Sequence, residues 1–243
     1  LTAPLARHVA GNPEMALPVR RDQIGTGWLV DKPGPGRFRD FTQCASDPVG
    51  TASMLADAEI MAAICQSFEK LGLPHYRIRY ADRKVLNGLA KFAGVADGQA
   101  GDVFRVIDKL EKQGIEAVRM ELGPGRIDQS GDKIAGLNLP SKQIDTIVSF
   151  LEAQKTEIDP LAAAAKLLAG IPEAEEGIAE LRQIGEFLVR LGVPLDKTQI
   201  DLTIVRGLGY YTGPVFETVL DDIPEVGSVF AGPTPRALPV RPL

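Results

Sequence analysis

Strand-forming stretches stand at both ends of this 243-residue chain, and residues 102–191 between them read as helix after helix. A sheet built from such a chain has to draw strands from both ends across an inserted helical block, which is an α+β rather than an α/β arrangement. Near the start, residues 17–30 and 37–50 read as two extended segments joined by DKPGPG at 31–36, where Gly and Pro mark a turn. Phe38 and Phe41 alternate loosely with Arg37, Arg39 and Gln43, so the second segment has one polar face. A helix follows over about 55–71, with Ile60, Ile64, Phe68 and Leu71 at helical spacing and Gly72 and Pro74 as its stop. HYRIRY at 75–80 is a short strand, and 82–93 is a second helix presenting Val85, Leu86, Leu89 and Phe92. In the helical block, Val103, Val106, Ile107 and Leu110 form one apolar stripe, and Ile178, Leu181, Ile184, Leu188 and Leu191 form another. Ser141 reads as an N-cap for the stripe at Ile144, Ile147, Val148 and Leu151, and LGPGRIDQSGDK at 122–133 reads as loop. Strand character returns at 198–205, 214–220 and 227–230.

The expected organisation is a core from 1–95 and 193–232, a helical insertion over 96–192, and a Pro-rich, disordered tail over 233–243. The density of proline in AGPTPRALPVRPL suits neither helix nor interior strand. Together with Leu1 in place of an initiating Met, it makes the chain read as a fragment whose tail is foreign to the fold.

Hydrophobic residues make up 44% and charged residues 24%, as in ordinary globular domains. A net charge of −5 excludes a surface that is basic overall, though not a local basic face. Cys44 and Cys65 have no CxxC spacing, which speaks against a disulfide scaffold or zinc site and for a reducing, cytoplasmic setting. No apolar run is long enough for a membrane span, and no signal peptide is recognisable.

Two segments carry chemistry. VRGLGYYTGPVFE at 205–217 places Arg206 beside a glycine turn and the pair Tyr210 and Tyr211. Arg offers a fixed fork of donors and Tyr a hydroxyl on a rigid ring, which suits a small, polar, anionic ligand. GRFRDFTQCASDPVG at 36–50 combines Arg37 and Arg39 with Gln43 and Asp47 on a hairpin. Alone, each segment also reads as a surface turn or a basic, aromatic hairpin.

Together they resemble histidyl-tRNA synthetases. VRGLGYYTGPVFE is similar to the family's histidine signature R-G-L-D-Y-Y, with Gly209 for Asp, and residues 36–50 look like its motif 2 hairpin. LTAPLARHVA at 1–10 and IRYADRKVLNGL at 78–89 resemble two further family segments, with Ala81 and Asp82 replacing two Asn. The resemblance implies an antiparallel class II synthetase-type sheet with flanking helices, interrupted by the mostly helical insertion. It implies that Thr2, Gln43, Asp47, Tyr210 and Tyr211 hold histidine, and that Arg206 is the catalytic bridge between the substrate carboxylate and the α-phosphate of ATP. Arg37 and Arg39 would lie near the ATP phosphates, Arg37 being the stronger candidate. ATP is implied as substrate, with Mg²⁺ and no metal held by protein ligands alone, and the implied partners are histidine, ATP, tRNA(His) and a second subunit of a homodimer. His8 and His75 are expected to be surface or satisfied core residues.

Departures qualify this. By register, an Arg that grips the α-phosphate in the family is Leu29 here, and motif 1, motif 3 and the anticodon domain have no counterpart in these residues. A second reading is therefore a non-catalytic, synthetase-like regulatory subunit of ATP phosphoribosyltransferase, and a third is a fragment with no independent function.

Overall fold

The computed structural model describes residues 2–30, 32–34, 38–128, 130–205 and 211–233. The chain runs α1 (Thr2–Gly11), β1 (Val19–Trp28), β2 (Asp40–Val49), α2 (Met54–Leu71), β3 (Tyr76–Asp82) and α3 (Arg83–Phe92). There follow α4 (Asp97–Ile107), α5 (Leu110–Leu122), β4 (Gly125–Ile127), β5 (Lys133–Ala135), α6 (Ser141–Thr156), α7 (Pro160–Leu167) and α8 (Pro172–Arg190). The last strands are β6 (Thr198–Ile200), β7 (Pro214–Leu220) and β8 (Ser228–Pro233).

The split sheet forms as expected: its order is β6-β3-β7-β8, so strands on either side of the helical block lie side by side. β3 pairs antiparallel with β7, and β7 with β8, but the short β3–β6 pairing is parallel. Three expectations need correction. β1 and β2 pair only with each other among the described residues, as an antiparallel ribbon apart from the larger sheet. Strand β8 continues through Ala231, Gly232 and Pro233, which pair with Glu217, Phe216 and Val215. The proline is tolerated because β8 is an outer strand among those described, with no ladder bond needed on its open side. Residues 234–243 of the expected tail lie outside the described residues. The stretch read as loop at 122–133 contains β4 and pairs with β5 as a small hairpin.

Local chemistry sets the helix ends. Ser53 Oγ accepts from Leu55 N–H at 3.2 Å to cap α2, and Gly72 ends it with φ 70°. That is the left-handed region, where glycine carries no Cβ penalty. Asp82 Oδ1 accepts from Lys84 N–H at 2.9 Å and caps α3. At α6 the expected cap shifts by one residue: Pro140 occupies the N-cap, Ser141 is the first helical residue, and no side-chain cap bond forms. The capping role asked of Ser141 is thereby lost to a proline, whose fixed φ favours an abrupt entry.

The core begins at Met54: no described residue before it is buried. One continuous apolar cluster then runs from Met54 through the helical block to Phe216 and Leu220. α8 is its axis, packing against α2, α3 and β3 through Ile178, Leu181, Ile184 and Leu188. Each such buried side chain is worth roughly 1.5–3 kcal/mol. The helix that closes the expected insertion is thus packed against the sheet-bearing half.

Candidate functional site

The register of the ribbon sorts its side chains onto two faces. Arg21 lies opposite Asp47, Gln23 opposite Ala45, Gly25 opposite Gln43 and Gly27 opposite Phe41. Alternate strand residues share a face, so these eight form one surface, and all of them are half-buried. The other face carries Ile24 and Trp28, 75% and 74% exposed. Gly25, Gly27 and Ala45 leave the middle of the first face low. A Cβ at Gly27 would come within 3.0 Å of the Phe41 ring and 3.4 Å of Gln43 Oε1, so glycine keeps that floor open.

Polar groups stand at its ends. Arg21 Nη2 lies 2.9 Å from Asp47 Oδ2, and Arg21 Nη1 donates to Gln23 Oε1. The contact with Asp47 is an ion pair without an aligned hydrogen bond. Arg21 Nε, Arg21 Nη2 and Asp47 Oδ2 are buried and lack hydrogen-bond partners among the described residues. Beyond the other end of the ladder, Leu29 N–H donates to the Arg39 carbonyl at 2.9 Å, which carries the same register on to that pair. On the outer face, Arg20 forks onto Glu59 of α2 at 2.7–3.1 Å and ties the ribbon to the body.

A second group of contacts involves Asp201, Thr203 and Gly213. β3 lies between β6 and β7, and β6 ends and β7 begins beside the C-terminal end of β3. Arg79 on β3 donates to Asp201 Oδ2 from Nε at 2.9 Å and from Nη2 at 2.6 Å. Its Nη1 reaches Glu111 at 3.0 Å and Glu217 at 3.2 Å. Asp201 also accepts from Thr203 N–H at 3.0 Å and Thr203 Oγ1 at 2.5 Å. Burial pushes the Asp201 carboxyl up, but Arg79 and Thr203 outweigh it and hold the group below its ordinary value. At the other flank, Arg83 N–H donates to the Gly213 carbonyl at 3.0 Å. Both described flanks of the Arg206–Tyr210 stretch are thus pinned from β3 and the start of α3.

Behind this junction lies a buried carboxyl pair. Asp82 is 1% exposed and Glu180 of α8 is 7% exposed. Asp82 Oδ2 is buried without a hydrogen-bond donor among the described residues, while Lys84 Nζ bonds Glu180 at 2.8 Å and Glu176 at 2.5 Å. Burial, followed by the Glu180 carboxyl, pushes Asp82 up to about 8. Two carboxyls facing one another at neutral pH share a proton.

Of the residues expected from sequence, Gln43 and Asp47 stand together on the low face, and Arg39 lies beyond its far end. Tyr211 is half-buried against the core, two residues before Gly213. Thr2 opens α1 and is exposed; no hydrogen bond or ion pair joins it to Gln43 or Asp47 among the described residues. Arg37, Arg206 and Tyr210 lie outside the described residues. His75 pairs with Asp222 at 2.9 Å on the surface, and His8 is exposed. Among the described residues no group of three or more His, Cys, Asp or Glu side chains could hold a metal ion, and no helix is long and apolar enough to cross a membrane. Sequence reasoning missed Arg21, Arg79, Asp201 and the Asp82–Glu180 pair. The alternation in VRRDQ pointed to Arg21, and the D-x-T turn at 201–203 pointed to Asp201.

A split sheet, flanking helices and a separate motif 2-type ribbon define the core of a class II aminoacyl-tRNA synthetase. The family model for histidyl-tRNA synthetase matches residues 1–232, and the chain belongs to that family. It is 45% identical over 226 residues to the histidine–tRNA ligase of Caulobacter vibrioides, covering 90% of this chain and 46% of the relative. The ligase of Ruegeria pomeroyi is also 45% identical, over 227 residues, with the same coverage. Among solved structures, the histidyl-tRNA synthetase of Nostoc sp. PCC 7120 superposes with a TM-score of 0.79 at 30% identity, over 95% of this chain and 51% of that one. An ATP phosphoribosyltransferase regulatory subunit/histidyl-tRNA synthetase from Bacillus halodurans shares the fold, with a TM-score of 0.71 at 22% identity, over 91% of this chain and 53% of that one. The chain spans about half the length of the curated relatives it matches.

Proposed function

We propose that this chain is the histidine- and ATP-binding part of a cytoplasmic histidine–tRNA ligase. The observation that carries the reading is the placement of Gln43 and Asp47 on one face of the ribbon, over the floor of Gly25, Gly27 and Ala45. A carboxylate accepts from an ammonium or ring N–H, and an amide bonds to either a donor or an acceptor. Tyr210, Tyr211 and Thr2 complete the histidine site in this reading.

The reaction follows from what must be aligned. A carboxylate oxygen of histidine attacks the α-phosphorus of ATP, the bond to pyrophosphate breaks, and histidyl-adenylate forms. The terminal ribose hydroxyl of tRNA(His) then attacks the acyl carbon, and AMP leaves. No protein nucleophile is needed; the enzyme holds two anions together and stabilises charge at phosphorus. Arg206 bridges carboxylate and α-phosphate, with Arg37 and Arg39 on the remaining phosphates. Mg²⁺ bound through nucleotide phosphates needs few protein carboxylates, which suits a face whose one carboxylate, Asp47, is already paired. The ion would neutralise phosphate charge there. In the full-length protein the core would act as a homodimer.

Leu29 favours a second reading, a regulatory subunit that binds histidine without phosphate chemistry, because an alkyl side chain opposite Arg39 offers no donor. Calorimetry with histidine and phenylalanine tests the histidine site common to both readings. Heat with histidine alone supports it, and equal or absent heats for the two overturn it. Histidine-dependent pyrophosphate exchange then separates ligase from regulator.

A further inference from the structure

We infer that Arg21 is a specificity-determining residue of the candidate histidine site: by balancing the charge of Asp47, it makes the site select the neutral imidazole over the imidazolium ion. The inference rests on the proposed histidine-binding reading and deepens it.

The argument begins with the register. Arg21 and Asp47 are direct cross-strand partners on the low face, with Nη2 and Oδ2 2.9 Å apart. Their side chains are 20% and 26% exposed, so neither charge is fully given over to water. A carboxylate left alone at the end of such a face would favour a cation, because an opposite charge within about 4–6 Å stabilises the charged form of a titrating group by 1–3 pKa units. A guanidinium in contact with the same carboxylate cancels most of that field. What remains is a hydrogen-bond acceptor without net charge, which suits a neutral ring N–H.

The surroundings agree. Gln23, two residues along the same strand and on the same face, accepts from one arm of Arg21. Gln43, two strand positions along from Ala45, adds a neutral amide that can meet either face of an imidazole. The other charges of the ribbon lie elsewhere: Arg39 is beyond the far end of this face, while Arg20, Asp22 and Asp40 are on the opposite face, Arg20 already joined to Glu59. In the second chemistry-bearing segment the described carboxylate, Glu217, is taken up by Arg79 at 3.2 Å. Arg21 acts through Asp47 and is a positioning residue, not a catalytic one.

The ligand's own titration is the readout. An imidazole with an ordinary pKa of about 6.5 is roughly nine-tenths neutral at pH 7.5 and about one-tenth neutral at pH 5.5. Histidine titrated into the whole chain by calorimetry should therefore bind about tenfold more weakly at pH 5.5 than at pH 7.5. In Arg21→Gln the ratio should vanish or invert, because the uncovered Asp47 accepts the imidazolium. Arg21→Lys keeps the charge and should restore the tenfold ratio. Arg20→Gln, which loosens the ribbon from α2 without touching this face, should keep it. Asp47→Asn leaves Arg21 uncompensated and should hold the ratio at about tenfold, the limit set by the neutral fraction of the ligand, so it is informative even where Arg21→Gln does not fold. A tenfold ratio unchanged in Arg21→Gln, or an inverted one in Asp47→Asn, overturns the inference while leaving the histidine site standing. No heat with histidine in the unsubstituted chain removes the proposed function itself, and this inference with it.

Discussion

Leu29 and Arg39 face each other across the end of the ribbon, joined by a backbone hydrogen bond of 2.9 Å from the Leu29 N–H to the Arg39 carbonyl. The register that puts Gln43 opposite Gly25 carries on to this pair. Position 29 is therefore on the same side as the candidate histidine site, and a guanidinium there would stand beside that of Arg39. Leu29→Arg is expected to add a phosphate donor. One preorganised donor is worth roughly a hundred- to a thousandfold in rate. The gain should appear only where the nucleotide is held elsewhere too, so the comparison is pyrophosphate exchange with and without the part of a relative that lies beyond this chain. A full gain from Leu29→Arg alone would show that the added part is irrelevant to ATP binding.

Arg79 pairs with three carboxylates, Asp201, Glu111 and Glu217, of which Asp201 and Glu217 are 15% and 10% exposed. Arg79→Met should leave Asp201 as a poorly solvated, uncompensated charge. Removing one partner of a buried pair typically costs about 3–5 kcal/mol. Asp201→Asn should cost less, since the amide still accepts from Thr203 and Arg79 keeps two carboxylates. Urea unfolding of both variants checks this. An Arg79→Met chain as stable as the parent would show that the cluster holds nothing in place. If the cluster also sets the flank of the Arg206 stretch, histidine affinity falls in Asp201→Asn more than its stability does.

Much of this was legible because hydrophobic period and turn chemistry are local. The stripe at Ile178, Leu181, Ile184 and Leu188 marked a helix, and Gly72 marked the end of another. Gln43 and Asp47, four apart in an alternating segment, had to share a face. What stayed hidden depends on partners distant in sequence. Arg79 and Asp201 meet only because β3 and β6 pair in parallel, a register no local pattern encodes. The strand through Pro233 was missed because proline content argues against strands in general and only the open side of an outer strand makes it harmless. Resemblance pointed to Arg206 and Tyr210, but it gave no reason to look at Arg21, whose proposed role follows from its cross-strand neighbour.

Gly88 of α3 and Ala174 of α8 test whether the helical block is integral to the core. A Cβ at position 88 would lie 2.5 Å from the Ala174 Cβ and 3.2 Å from its Cα, so the two helices touch backbone to backbone there. Gly88→Ala improves helix propensity by about 1 kcal/mol, yet overpacking of this kind costs typically 1–3 kcal/mol. The expected result is net destabilisation in thermal unfolding, relieved by Ala174→Gly in the same chain. A simple gain from Gly88→Ala would mean that α8 stands off from α3.

The carboxyl pair Asp82 and Glu180 should make stability fall as pH rises from about 4 to about 8. Burial and the neighbouring Glu180 push Asp82 up to about 8 in the folded chain, whereas an unfolded Asp titrates near its ordinary value of about 3.9. Between those values the folded state holds a proton that the unfolded state has released. Stability rises with pH only where the unfolded state binds more protons, so here it declines. The contribution of this group is whole below about pH 4 and is lost progressively as pH climbs to about 8. Carboxyls held below their ordinary values, such as Asp201 and Glu121, behave oppositely: their contribution is complete above the ordinary carboxylate range and is lost in acid. Over pH 5.5–8.5 they are silent, and the slope belongs to the pair. Lys84 bonds Glu180 and Glu176 and limits the slope without reversing it. Asp82→Asn keeps an oxygen to cap α3 and an N–H₂ to donate to Glu180, with no proton to lose. Urea midpoints measured across that window should decline for the parent chain and stay level for Asp82→Asn. Equal slopes in the two proteins would show that no proton is shared between Asp82 and Glu180.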